Sequence, residues 1–274
     1  MNKINYCIKI TGIMILIFGV NSCNMNKQIE NEKTGILMNA NRKEKTIDKK
    51  DIEHLPVQVQ NWLINSGIIG KNEIKIVQLT QKALMKTKPE QKKWYTAKAN
   101  QWITTEPPAY IWTVKLNIMQ ILRIKGRDKF EKGKGNMLMK MNSLFTIGND
   151  SGKKIDEGSI QRFLAEMIWY PSFAISDYVK WDSIDIKSAK ANITYNKTKG
   201  SVTFFFNNQG EVKQITALRY KGNKEEKRYQ WTIKIKEHSI FNGLKIPTKT
   251  EVIWKLDSGD WKWLDLEITD YKYK

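Results

Sequence analysis

Apolar and polar residues alternate along most of the chain from residue 74 to the C-terminus. In 229–237, for example, Tyr229, Trp231, Ile233 and Ile235 fall on one side and polar residues fall on the other. A period of two is typical of β-strands that bury one face against a core. About eleven such segments follow one another with short turns, so the pattern predicts a mainly β fold with one large antiparallel sheet.

A twisted sheet of this size tends to curl or close, because curling protects its edge strands. We therefore expect a single curved sheet or incomplete barrel over residues 51–274. A short amphipathic helix is predicted at 54–67, where Gly67 suits the C-terminal cap. One central helix, 156–171, is predicted to pack on the sheet or plug it, since its apolar residues form one stripe.

The N-terminus has the pattern of an export signal. Lys3 and Lys9 precede an apolar run at 10–20, which is shorter than the ~20 residues that span a bilayer. Ser22 and Cys23 follow, with Val20 three residues before the cysteine. This arrangement resembles the lipobox of bacterial lipoproteins. It implies that 1–22 is a signal peptide and that an acylated Cys23 anchors the mature protein in the bacterial cell envelope. The alternative is a simple secretory signal in which Cys23 has no role.

Residues 23–50 are rich in Asn, Lys and Glu and lack apolar periodicity, so they are predicted to form a flexible tether. The formal net charge is +19. Such an excess favours anionic partners, although a solvated basic surface without a dedicated partner is an equal alternative. No nucleic-acid partner is expected, because the lysines are spread along the chain and no nucleic-acid-binding motif accompanies them.

No nucleophile elbow, phosphate loop, zinc-binding helix or dinucleotide fingerprint occurs in the sequence. The two cysteines lie at the extreme N-terminus, and the two histidines lack metal-ligand spacing, so neither a metal site nor a cofactor is predicted. Glu166, Asp182 and Asp185 are the weak candidates for a general acid and base. For Asp182 and Asp185 the simpler interpretation is that they cap turns. For Glu166 it is a solvated pair with Arg162 at i, i+4.

Several apolar residues are candidates for the lining of a ligand site. Met137 and Met139 alternate on one strand, and methionine adapts to varied apolar ligands, although ordinary core packing explains the same pattern. Glu166 and Trp169 lie off the apolar stripe of the central helix, where they would face either a cavity or solvent. The full predicted lining comprises Trp112, Met137, Met139, Glu166, Trp169, Trp231 and Trp254.

Blocks of the sequence resemble a bacterial family of domains of unknown function. They include 55–63 (LPVQVQNWL), 94–112 (WYTAKANQWITTEPPAYIW), 162–171 (RFLAEMIWYP) and 243–254 (GLKIPTKTEVIW). The strand pattern is similar to that of the periplasmic lipoprotein-carrier half-barrels, LolA and LolB. That resemblance implies an incomplete antiparallel barrel, lidded by helices, that holds acyl chains.

Three functional hypotheses follow from these observations. In the first, a lipid-anchored protein binds a lipid or acyl chain in the concavity of its sheet without catalysis. In the second, an envelope hydrolase uses Glu166 with Asp182 or Asp185. In the third, a basic interaction module with a fully packed core docks on an anionic membrane or polymer.

Overall fold

The structure is a computed structural model that describes residues 25–119 and 122–274. Within these residues, one antiparallel sheet of thirteen strands has the order β6-β5-β4-β3-β2-β1-β13-β12-β11-β10-β9-β8-β7. The strands are β1 Ile76–Met85, β2 Tyr95–Thr105, β3 Pro108–Asn117, β4 Arg123–Glu131, β5 Lys134–Met141, β6 Phe145–Ser151, β7 Val179–Asp185, β8 Ser188–Tyr195, β9 Thr198–Phe206, β10 Val212–Arg219, β11 Tyr229–Phe241, β12 Leu244–Leu256 and β13 Gly259–Tyr273.

The sheet consists of two meanders joined at its centre. From β1 to β6, each successive strand lies farther from the centre of the sheet, and from β7 to β13 each lies closer to it. The two meanders therefore meet where β1 pairs with β13. This confirms the predicted single curved antiparallel sheet. The thirteen observed strands exceed the predicted number of about eleven. One strand more than the alternation indicates arises where the chain reverses between Met141 and Phe145. Asn142 and Ser143 have φ values of +49° and +61°, and this left-handed backbone turns the chain between β5 and β6.

Three α-helices accompany the sheet in the described part of the chain. They are α1 (25–38), α2 (Val57–Ser66) and α3 (Lys153–Ala165), with short 3₁₀ turns at Lys50–Ile52, Glu166–Trp169 and Pro171–Ile175. No helix in this part of the chain combines the length and the apolar character that crossing a membrane requires. Helix α2 ends at Gly67, as predicted, with a φ of +75°. A Cβ at Gly67 would lie 2.5 Å from the carbonyl oxygen of Gly243, so the close approach of these two turns also requires glycine.

The central helix differs from the predicted span of 156–171. Helix α3 begins earlier, at Lys153, and ends at Ala165. The chain then tightens into a 3₁₀ turn, and Tyr170 leaves helical geometry with φ −144° and ψ 65°. Pro171 explains this break, because the residue before a proline is disfavoured in the helical region. A second 3₁₀ turn, Pro171–Ile175, completes the connection to β7.

The prediction of a flexible tether is wrong for the described part of 23–50. Helix α1 lies on the outer face of the sheet, where Met25 and Ile29 pack against Leu138 of β5. Further along, Ile36 packs against Ala109 and Ile111 of β3. A few apolar residues at helical spacing are enough to dock the helix. They do not stand out in the sequence because most residues of the segment are polar.

The main core fills part of the concave face of the sheet, which is the face that α2, α3 and both later 3₁₀ turns cover. Strands near both edges of the sheet meet on α3, which contacts β9 and β10 on one side and β4 and β5 on the other. The aromatic rings of Phe130, Phe163, Tyr170 and Phe173 pack against one another at the centre of this core. Their burial makes this region the main source of hydrophobic stabilisation.

Candidate functional site

The concave face has two halves that differ in how completely they are covered. In the half beneath α2 and the 3₁₀ turns, which we call the closed half, the wall residues are 0–1% exposed: Val77, Leu79, Ile103, Tyr110, Phe130, Phe204, Leu244 and Ile246. In the other half, which we call the open half, most wall residues retain slightly more exposure, 4–7%: Ala83, Ala97, Trp112, Val114, Leu116, Ala217, Trp231, Ile233, Ile235, Val252, Trp254, Leu264, Leu266 and Ile268. Ala99 and Ile215, in the same cross-strand rows as Val114 and Ile233, are 1% and 0% exposed.

The residues of the open half form a continuous wall across seven neighbouring strands, from β3 to β10. In one cross-strand row, Leu116 lies opposite Ala97, Ala97 opposite Ala83, and Ala83 opposite Leu266. The two adjacent alanines are the smallest side chains in this row, so they leave the most room above the sheet. The open half is therefore an apolar concave surface that the helices cover less completely than the closed half.

A chain of buried hydrogen bonds crosses the boundary between the two halves. The indole Nε1 of Trp112 donates to Gln81 Oε1 (2.8 Å), and Gln81 Nε2 donates to Gln101 Oε1 (3.3 Å). Gln101 Nε2 in turn donates to Glu166 Oε2 at the end of α3 (2.6 Å). Each of these buried polar groups thereby has a partner, as groups removed from water require.

Arg162 completes this network by joining two carboxylates. Its Nε donates to Glu166 Oε1 (2.7 Å), and its Nη1 donates to Asp128 Oδ2 (2.9 Å). The guanidinium also lies 4.9 Å and 5.0 Å from the ring centroids of Tyr110 and Trp112. Burial opposes the charge on Arg162, but the neighbouring Glu166 raises its pKa above the usual value. Burial raises the pKa of Asp128 against the opposing effect of Arg162.

The structure separates the predicted site residues into groups. Trp112, Trp231 and Trp254 line the open half. Met137 and Met139 lie on the same concave face, since they pair with Asp128 and Gly126 of β4. Both methionines are accessible, with Met139 38% exposed.

Glu166 and Trp169 face neither a cavity nor solvent. Trp169 belongs to the closed half, where its Nε1 donates to the carbonyl oxygen of Pro247 (3.0 Å). Glu166 forms the predicted pair with Arg162, but the pair is buried rather than solvated, because the sheet encloses α3 on more than one side.

The hypothetical acid–base group is not assembled. Asp182 and Asp185 are exposed on the edge strand β7, whereas both oxygens of the buried Glu166 are engaged. Asp182 accepts a hydrogen bond from Asn192 Nδ2 (2.8 Å), and Asp185 accepts one from the backbone N–H of Lys187 (2.7 Å). The two aspartates thus occupy the capping role that turn chemistry favours. Cys23 lies outside the described residues.

Sequence reasoning missed several residues of the open half that matter for its chemistry. They are Arg219 on β10, Trp261 and Trp263 on β13, and the adjacent alanines Ala83 and Ala97. The alternation of 229–237 and 244–256 pointed to Trp231 and Trp254, and cross-strand register adds Trp261 opposite Trp254. No local signal marks Arg219, because a single arginine near a strand end is usually solvated.

A groove of about 610 Å³ crosses the opposite, outer face of the sheet. Its walls include outward-facing side chains of two adjacent cross-strand rows: Lys82, Lys98, Lys249, Glu237 and Glu267 in one row, and Leu84, Thr96, Asn117, Asp265 and Glu251 in the other. Ala83, Ala97, Thr250 and Leu266, whose side chains alternate to the concave face, also border the groove and lie between the two rows. Lysines and acids along the walls of this groove pair with each other, so the groove differs from the open half in its charged side chains.

The arrangement is that of an open antiparallel half-barrel whose helices cover only part of its concave face. The chain belongs to a family of unknown function, DUF6544, whose sequence profile matches residues 45–266. This confirms the predicted family membership. Among solved structures, the chain is similar to a LolA superfamily protein from Nitrosomonas europaea, with 12% identity, coverage of 80% of this chain and 94% of that chain, and a TM-score of 0.35. Comparison with curated proteins gave no match.

Proposed function

We propose that the protein binds a lipid-like, amphipathic ligand in the open half of its concave face, without catalysis. The observation that carries the proposal is the difference in exposure between the two halves. Both are walled by the same kinds of apolar side chain, but only one is sealed. A concave apolar surface that the fold covers incompletely is typical of ligand sites.

The apolar chemistry of the open half suits an alkyl chain. Ala83 and Ala97 provide depth, and Leu116, Leu264 and Leu266 provide apolar contact on both sides. Each methylene that moves from water into such a site contributes about 0.8 kcal/mol. A chain of about a dozen carbons therefore supplies more than the ~8 kcal/mol of micromolar affinity, before the entropy cost of binding is subtracted.

Obstruction of the open half tests the proposal. The probe is 12-bromododecanol, whose bromine quenches tryptophan fluorescence on contact and would report on Trp112, Trp231 and Trp254. We expect saturable quenching of the wild-type protein. Ala97→Phe should lower the affinity for the probe at least tenfold, because the new ring occupies the space above the sheet.

The matched control is Lys98→Phe, which adds the same ring on the outer face one residue away. It should bind the probe as the wild type does. Circular dichroism and thermal unfolding check that each variant folds. If Ala97→Phe does not fold, Ala83→Leu provides a smaller obstruction of the same site. Equal quenching of wild type and both obstructed variants would contradict the proposal. In native mass spectrometry, protein purified from its host's cell envelope should show the added mass of the natural ligand.

We also propose that an acylated Cys23 makes the membrane a partner of this protein and holds it in the bacterial cell envelope. The support is the sequence pattern of residues 1–23 alone. Metabolic labelling with palmitate should mark the wild-type chain and not Cys23→Ser. Label that persists in Cys23→Ser would refute the anchor and leave the ligand proposal untouched.

A further inference from the structure

A row of tryptophans crosses the open half near the start of β11 and β13. Trp231 lies opposite Trp254, and Trp254 lies opposite Trp261. The Arg219 guanidinium stacks on this row, with its central carbon 4.2 Å from the ring centroid of Trp231 and 5.8 Å from that of Trp254. A guanidinium over an indole face is held firmly, so the charge has a fixed position in the concavity.

The polar hydrogens of this patch are largely without acceptors. Arg219 Nη2 donates to the carbonyl oxygen of Gly158 on α3 (2.7 Å). Its Nε has no partner within the described residues, and the same holds for the buried indole nitrogens of Trp231, Trp261 and Trp263. Leaving a buried donor unpaired is costly, so four of them in one contiguous patch call for an explanation.

The other central arginine shows what a satisfied guanidinium looks like in the same fold. Arg162 is paired with both Asp128 and Glu166. Within the described residues, no carboxylate oxygen lies within 4.0 Å of Arg219. Burial without such a partner lowers the pKa of Arg219 to about 10. The patch thus offers a cation and several N–H donors but lacks the anion that would complement them.

We propose that Arg219, with the N–H groups of Trp231 and Trp261, binds the anionic head group of the ligand, a carboxylate or a phosphate, while its alkyl chain lies along the open half. An oxyanion accepts several hydrogen bonds at once and matches a donor-only patch beside a planar cation. Apolar residues of the neighbouring rows, Ile233, Val252 and Leu264, continue from the patch along the wall. This inference rests on the proposed function, and it restricts the ligand to anionic amphiphiles.

Displacement of 12-bromododecanol from the full-length protein by three twelve-carbon competitors tests the inference. Dodecanoate carries a carboxylate, dodecyl phosphate a phosphate, and dodecanol no charge. We expect the better anion to bind about ten- to hundredfold more tightly than dodecanol, as hydrogen bonds to a charged group provide. Whichever anion binds better identifies the head-group chemistry as that of a fatty acid or of a phosphorylated lipid.

Arg219→Met keeps much of the stem volume and removes the charge. It should abolish the preference for the anion and leave the affinity for dodecanol unchanged. The matched control is Lys234→Met, which removes an exposed cation on the outer face of β11 and should change neither affinity. Arg219→Lys keeps the charge without the planar guanidinium and should retain a weaker preference for the anion over dodecanol. This variant serves as the test if Arg219→Met does not fold.

The two proposals fail in different ways. Wild-type protein that binds dodecanol as tightly as both anions would overturn the head-group site alone. An equal loss of anion and alcohol binding in Arg219→Met would also overturn it, because the arginine would then act only through packing. Wild-type protein that binds none of the three probes would overturn the proposed function and the head-group site with it.

Discussion

The closed and open halves of the concave face are made of the same sheet and similar residues, yet only the closed half is sealed. Helix α2, the two 3₁₀ turns and the interlocked aromatic side chains of the core complete the closed half. In the open half the strands continue and alternate as before, but no helix of the described chain covers them to the same degree. The comparison teaches that the two ends of one surface differ in how tightly they are packed, and the proposed ligand site lies at the less tightly packed end.

The largest expected effect comes from removing the cation between the halves. Arg162→Ala leaves Asp128 and Glu166 buried without their common partner, which should cost about 3–5 kcal/mol of unfolding free energy. Urea unfolding at pH 7 measures the loss. Arg162→Lys is the control, because it retains the charge and should be less destabilised.

The loss in Arg162→Ala should shrink as the pH falls from 7 towards 4. Burial already raises the pKa of Asp128, and removal of Arg162 raises it further. Between the unfolded value of about 3.9 and this raised value, the folded state binds a proton that the unfolded state has released, so lowering the pH stabilises the folded variant. A difference between variant and wild type that does not change over this range would contradict burial as the cause.

A matched pair of truncations compares the two halves directly. Leu79→Ala in the closed half should cost about 3 kcal/mol, because the cavity it creates is sealed. Leu266→Ala in the open half should cost about 1–2 kcal/mol, because that side chain borders space that solvent already reaches. Urea denaturation of both variants under one set of conditions gives the comparison. Equal losses would show that the open half is packed as tightly as the closed half.

The smallest expected effect on the sheet comes from the outer face. Ile36→Ser should weaken the docking of α1 by about 2 kcal/mol, since it removes the side chain that packs on Ala109 and Ile111. The unfolding midpoint of the sheet should change little. Limited proteolysis should cleave residues 25–45 much faster than in the wild type. Unchanged protection of this segment would mean that other contacts of α1 hold it in place.

The fold class followed from the sequence because the signals that carry it are local. Alternation identified the strands, and Gly67 marked the end of α2 correctly. The turn between β5 and β6 gives a weaker signal, because its left-handed residues are Asn142 and Ser143 rather than glycines. Docking of α1 was missed because its few apolar residues need the outer face of β3 and β5 as a partner, and that surface exists only after folding.

The candidate site was less predictable than the fold. Trp112, Trp231 and Trp254 were placed correctly on the concave face by their alternation, but Trp169 was not, because its position depends on how the chain turns at Pro171. The environment of Arg219 depends on strand order and on the approach of Gly158 from α3. Long-range contacts of this kind leave no periodic trace in a sequence.

The docking of α1 changes the reach of any anchor at Cys23. A free tether of 27 residues would let the domain range about 30 Å from its attachment point. With Met25 held on Leu138, two residues allow only about 7 Å. Beside this attachment, Asn26 meets Lys125 near the start of β4, at the end of the sheet where Met119 and Phe145 are exposed. If Cys23 is acylated, this end of the sheet is therefore held close to the bilayer surface.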